Sequence, residues 1–168
     1  MALLNIPITW DKLKHHTLDY SIEWWKDYES DQYQTWTTAG HSPEVLTFNL
    51  HRFKDGLPDW CSYLSNYFTH LKHVNYCMHQ VPPGKYTPSH FDPYNYYFKN
   101  FNIQHLDQIV RHIIFIEDWQ DGHFLTVEDK IYSNWKSGDT VHWRGQARHA
   151  PINIGLTNRY TLQVTGIA

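Results

Sequence analysis

The chain has 168 residues, a formal net charge of −3 and 41% hydrophobic residues, enough for one domain with a buried core and too apolar for a disordered chain. No basic run long enough to mark a nucleic-acid groove is present, and no apolar run reaches the ~20 residues of a membrane helix. Two cysteines, Cys61 and Cys77, make neither a disulfide framework nor a zinc site. The start, Met-Ala-Leu-Leu-Asn-Ile-Pro, is too short and uncharged for a secretion signal, so a reduced, cytoplasmic setting is expected. Aromatic residues are abundant at 17%, suited to a core, a pocket lining or a carbohydrate-binding face.

Residues 1–72 read as mostly helical support. Leu18, Ile22, Trp24 and Trp25 fall at roughly helical spacing within 17–28. The polar stretch 31–43 reads as a loop, and 45–48 as a short strand. Gly56-Leu57-Pro58-Asp59 is a turn that opens a helix. That helix carries Trp60, Tyr63, Leu64, Tyr67, Phe68 and Leu71 on one face, which needs a sheet to pack on.

From residue 73 the pattern changes to period two. Residues 73–81 form a strand, Pro82-Pro83-Gly84 a turn, and a further strand carries His90. The segment 94–101, rich in Tyr and Phe, shows no clear periodicity and is a candidate lid or substrate-contacting loop. Strands follow at 111–117, 124–127, 131–132, 140–143 and 159–165, separated by Gly- and Asp-containing turns. Short strands punctuated in this way predict a double-sheet jelly roll. The expected fold class is α+β: a double-stranded β-helix (jelly roll) over 73–168, with N-terminal supporting helices, in a single domain spanning 1–168.

His90-Phe91-Asp92 places an imidazole and a carboxylate two positions apart, on one face of a strand. These are two of the three ligands of a 2-His-1-carboxylate iron site, for which His149 is the candidate third. With 13 histidines in the chain the spacing alone is weak, and His105-Leu106-Asp107 repeats it. Context separates the two, because only His90 follows a Pro-Gly turn into a predicted strand. Ten residues after His149 comes Arg159, opening the alternating run Arg159-Tyr-Thr-Leu-Gln-Val. Arg159, Thr161 and Gln163 face the sheet interior on that reading. A buried guanidinium needs a partner, and a carboxylate bound in a two-pronged fork supplies one. Tyr76 and Gln80 share one face of the strand before the turn and are candidate pocket-lining residues.

The order of these parts resembles the Fe(II)/2-oxoglutarate-dependent oxygenases over about residues 74–166. Arg111-His-Ile-Ile-Phe-Ile, Trp135-Lys-Ser-Gly-Asp, His149 and Arg159-Tyr-Thr-Leu-Gln-Val are similar to the aspartyl/asparaginyl β-hydroxylase branch. That branch typically lacks the carboxylate ligand; Asp92 is the feature shared instead with prolyl-hydroxylase-like enzymes. The resemblance implies Fe(II) on His90, Asp92 and His149, with 2-oxoglutarate as co-substrate and its far carboxylate on Arg159. Arg111, with Tyr76, is implied in cofactor binding, Arg111 either at the 1-carboxylate or as a strand-edge charge. It also implies dioxygen as a reactant, succinate and CO2 as co-products, and hydroxylation of a small-molecule or peptide substrate. Two other readings suit the same residues: a cupin-like metal protein without 2-oxoglutarate, and a non-enzymatic jelly-roll binding module.

Overall fold

A computed structural model describes residues 4–21, 31–47 and 49–168. Among the described residues, ten strands build two antiparallel sheets. The strands are β1 (Leu4–Asn5), β2 (Asn49–Arg52), β3 (Lys72–Val81), β4 (Lys85–Tyr86), β5 (Ile109–Phe115), β6 (His123–Val127), β7 (Lys130–Tyr132), β8 (Asp139–Arg144), β9 (His149–Asn153) and β10 (Arg159–Ile167). One sheet has the order β1-β8-β5-β10-β3-β2 and the other β4-β9-β6-β7. This is the jelly roll that the period-two pattern requires.

β10 lies at the centre of the larger sheet, paired with β3 and β5. Its alternation sorts its side chains cleanly. Tyr160, Leu162 and Val164 face outward into a layer containing Ile6, Leu64, Phe68, Leu71, Met78 and Ile114. Arg159, Thr161, Gln163 and Thr165 point into the space between the sheets. The inner core is closed at one end by Ile113, Phe115, Leu125, Val127, Trp135 and Trp143, with the Phe115 and Trp135 rings stacked at 3.9 Å. Burying each such side chain contributes about 1.5–3 kcal/mol.

The N-terminal part is less helical than its pattern predicts. α1 (Leu13–His16) is a single turn, Thr17 ends it, and Ser21 pairs with Leu50 instead of continuing a helix. The remainder of the expected 17–28 helix lies outside the described residues. The stretch read as a loop contains α2 (Asp31–Thr38). Thr35 and Thr37 bond back to carbonyls four residues earlier, and its anchor is Trp36, buried against Leu46. Around 45–48, Leu46 makes only a bridge to Tyr86. The helix expected after Pro58 is a 3-10 helix, Ser62–Phe68, which sets Leu64 and Phe68 on the outer face of the larger sheet. Gly138 holds the β1 edge in place: its φ is +91°, and a Cβ there would collide with the Ile6 carbonyl. No helix among the described residues is long and apolar enough to cross a membrane.

Candidate metal centre

His90 does not lie on a regular strand. Pro88 and Pro93 flank it, and proline cannot donate to a sheet ladder. His90 instead makes one isolated antiparallel bridge to His149, the first residue of β9. The bridge is reciprocal: His90 N–H donates to the His149 carbonyl at 3.0 Å, and His149 N–H to the His90 carbonyl at 2.9 Å. This pairing brings both side chains to one point, with ring centroids 4.3 Å apart.

Each ring is oriented by its own chain. His90 Nδ1 lies 2.8 Å from the Pro88 carbonyl, and His149 Nδ1 lies 3.0 Å from the Ala147 carbonyl. A carbonyl only accepts, so each Nδ1 carries the proton and each Nε2 keeps its lone pair. Both Nε2 atoms face Asp92: His90 Nε2 is 3.8 Å from Oδ1 and His149 Nε2 is 3.4 Å from Oδ2. Ligand atoms of the three residues all lie within 4.8 Å of one another. Burial, aided by the Arg111 charge, pulls His90 down to about 4. Burial first, then the charges of His90 and Arg111, lower His149 well below its ordinary value. Both imidazoles are therefore neutral at physiological pH, as metal ligation demands. Donor-bearing carbonyls behind the rings and lone pairs in front are the arrangement that fixes histidine toward a cation.

Arg111 stands behind the carboxylate. Its Nη1 donates to Asp92 Oδ2, its Nε donates to Thr165 Oγ1 at 3.2 Å, and its guanidinium lies 4.9 Å over the Tyr94 ring. Of the two expectations for Arg111, the strand-edge charge does not hold: β5 lies inside the larger sheet, and it aims the buried side chain at the Asp92 loop. Tyr76 requires a correction. It faces the outer layer beside Phe68, and Gln80 on the same face donates to the Tyr160 hydroxyl at 3.1 Å. The inward residues of β3 are one register away: Asn75, Cys77, His79 and Val81 line the interior cavities. His79 is the residue that sequence reasoning passed over; burial, with the Arg111 and Arg52 charges, pulls it down to about 3. The competing His105 and Asp107 are both exposed beside a 3-10 turn.

Arg159 is 2% exposed and faces the same interior as His149. Burial pulls its guanidinium down to about 9, which leaves it charged at neutral pH. It lies over the Phe115 and Trp135 rings at 5.8 and 5.5 Å, and its Nε and Nη2 have no hydrogen-bond partner among the described residues. An unpaired buried cation is costly, so these two N–H groups suit an anionic partner. The space between Arg159 and His149 measures about 20 Å3, room for about one water. The 94–101 segment folds as a short helix, α3 (Asn95–Asn100), whose Tyr97 hydroxyl donates to the Thr165 carbonyl at 2.6 Å.

No model of a known protein family matches the sequence, and no curated protein matches it. Solved structures do. The chain is similar to a Cupin 2 conserved barrel domain protein from Salinispora arenicola, at 15% identity over 72% of this chain and 76% of that one, with a TM-score of 0.43. It is similar to a predicted oxalate decarboxylase from Thermotoga maritima at 13% identity, covering 72% and 81%, with a TM-score of 0.44. A third is an RmlC-like cupin family protein with a double-stranded β-helix fold from Methanocaldococcus jannaschii, at 21% identity, covering 56% and 71%, with a TM-score of 0.40. At such identities no activity carries over.

Proposed function

We propose that the chain is a mononuclear non-haem iron enzyme that uses 2-oxoglutarate and dioxygen to hydroxylate a small-molecule or peptide substrate. The observation that carries this reading is the convergence of two neutral Nε2 lone pairs and a carboxylate within 4.8 Å of one another, with His149 facing the same interior as the buried Arg159, whose Nε and Nη2 have no hydrogen-bond partner among the described residues. His90 and His149, through Nε2, and Asp92, through its carboxylate, would hold Fe(II). Arg159 receives the far carboxylate of 2-oxoglutarate through Nε and Nη2. The bound iron and co-substrate supply the oxidative decarboxylation to succinate and CO2 that drives hydroxylation. Arg111 is a positioning residue: it holds the Asp92 carboxylate at the angle that meets both histidines. Ile113, Leu125 and Val81 keep the interior dry beside Arg159.

The narrow space at Arg159 favours a second reading, a metal protein of the same fold that takes no 2-oxoglutarate. The two are separated by visible absorption of the anaerobic Fe(II)-loaded chain as 2-oxoglutarate is added, for wild type and Arg159→Ala. The oxygenase reading predicts a weak charge-transfer band that demands far more co-substrate in the variant. Bound iron without a band leaves the metal protein; no bound iron leaves a binding module.

A further inference from the structure

His112 is a buried imidazole with no part in the chemistry above. It lies on β5 between the inward-facing Arg111 and Ile113, so it points the other way, toward the Phe68 ring at 5.0 Å, and it is 6% exposed. A neutral imidazole carries one N–H and one lone pair, and buried polar atoms normally have partners. Neither Nδ1 nor Nε2 of His112 has a hydrogen-bond partner among the described residues. With no group behind either nitrogen, the proton can sit on one and leave the lone pair of the other free.

Two more imidazoles stand against it. His142 of β8 is its direct cross-strand neighbour, and the two rings stack with centroids 5.4 Å apart and planes 26° apart. His70, in the turn after the 3-10 helix, meets the His112 ring edge-on at 6.3 Å. His142 and His70 are exposed, so both rings have room to turn about their side-chain bonds while His112 is held by its packing. Directly opposed strand residues have Cβ atoms ~4.5–5.5 Å apart, which lets two imidazoles reach one ion at ~2.0–2.1 Å from each nitrogen. Arg144, two positions along β8, donates to the Asp107 carbonyl at 3.2 Å. Burial, then the charges of His142 and His70, pull His112 down to about 4, so it is neutral at physiological pH, as ligation demands.

We propose that His70, His112 and His142 form a second metal site, which takes a late divalent transition ion, Cu(II) foremost, and clips the layer of residues 60–71 to β5 and β8. The donor set names the class of ion. Three imidazoles without a carboxylate suit late transition ions rather than magnesium or calcium, and Cu(II) stands highest and Fe(II) low in the affinity order of such ligands. The site lies on the outer face of the larger sheet, while Asp92 and His149 line the interior, and it does not rest on the iron reading.

The test is a Cu(II) titration of the full chain, read by calorimetry and by electron paramagnetic resonance. The His149→Ala variant disables the other centre, and it is expected to keep one Cu(II) equivalent that shows hyperfine splitting from imidazole nitrogens. Adding His142→Ala or His70→Ala to it should weaken that equivalent by more than ~100-fold, beyond the cost of losing a group that merely supports a ligand. In the wild-type background each of these two substitutions should remove one copper equivalent and leave the metal-free Tm unchanged, since both side chains are exposed. His105→Ala, an exposed histidine elsewhere, should change nothing. Three results overturn the proposal: no nitrogen-coordinated copper in either background, copper affinity unchanged on loss of His142 or His70, or an equal loss in His105→Ala. Fe(II) titration of the wild type reports separately on the other centre, so either reading can fail while the other stands.

Discussion

Two trios of two histidines and one carboxylate occur among the described residues, and they are wired in opposite senses. In the first, carbonyls behind His90 and His149 take the Nδ1 protons and turn lone pairs toward Asp92. In the second, the Trp10 indole N–H donates to His15 Nδ1 at 3.0 Å. An indole nitrogen can only donate, so His15 carries its proton on Nε2, which lies 3.2 Å from Glu117 Oε1. His16 Nε2 reaches the same oxygen at 2.7 Å, with Lys12 at 3.9 Å. Burial pushes Glu117 up, but hydrogen bonds from His15 and His16 outweigh it and hold the carboxyl at about 2. The second trio already has protons between its members and serves to clasp α1 to the loop after β5. Composition alone does not make a metal site; the group behind each ring decides which face of the imidazole is offered.

The sharpest way to break this contrast is at the supports. Arg111→Gln removes the donor that orients Asp92 and should lower metal affinity by roughly 10–100-fold, measured by calorimetric titration. Glu117→Ala should leave that affinity unchanged and instead lower stability by about 2 kcal/mol, roughly 4–8 °C in Tm for a chain of this size.

The acid response separates the second trio from the buried histidines of the larger sheet. His79 and His112 are held neutral in the fold, near 3 and 4, chiefly by burial, while in the unfolded chain they titrate near 6.5. The unfolded state therefore binds more protons in this window, so their contribution is complete above pH 6.5 and is lost as pH falls, toward about 4 for His112 and about 3 for His79. Glu117, depressed from 4.5 to about 2, gives a second loss at lower pH. Denaturation midpoints measured from pH 7 to 3 should show both steps, and Glu117→Ala should remove only the lower one. The smallest effect is expected from Trp10→Phe. It frees His15 to move its proton to Nδ1, and a second, weaker Zn(II) equivalent should then appear in a metal titration.

How legible these features are in the sequence follows from what each one depends on. β10 reads correctly because its polar and apolar residues alternate without interruption. β3 alternates too, but from Tyr76 onward neither of its faces is exposed, the inner lining the cavities and the outer packing on residues 60–71. Alternation then separates the faces without saying which is inner, and Tyr76 is assigned to the wrong one. β9 is hidden by Pro151, and α2 by a polar composition whose stability comes from the burial of Trp36. The trio proposed as ligands can be read from the order of its motifs. Its geometry cannot, because it depends on one bridge between His90 and His149, far apart in the chain. The Arg111 contact with Asp92 likewise exists only after folding.

Anaerobic Fe(II) titration of wild type, His149→Ala and His16→Ala, read by calorimetry, tests the central claim most directly. One tight equivalent is predicted in wild type and in His16→Ala, and none in His149→Ala. Iron retained by His149→Ala, or lost from His16→Ala, would contradict the account.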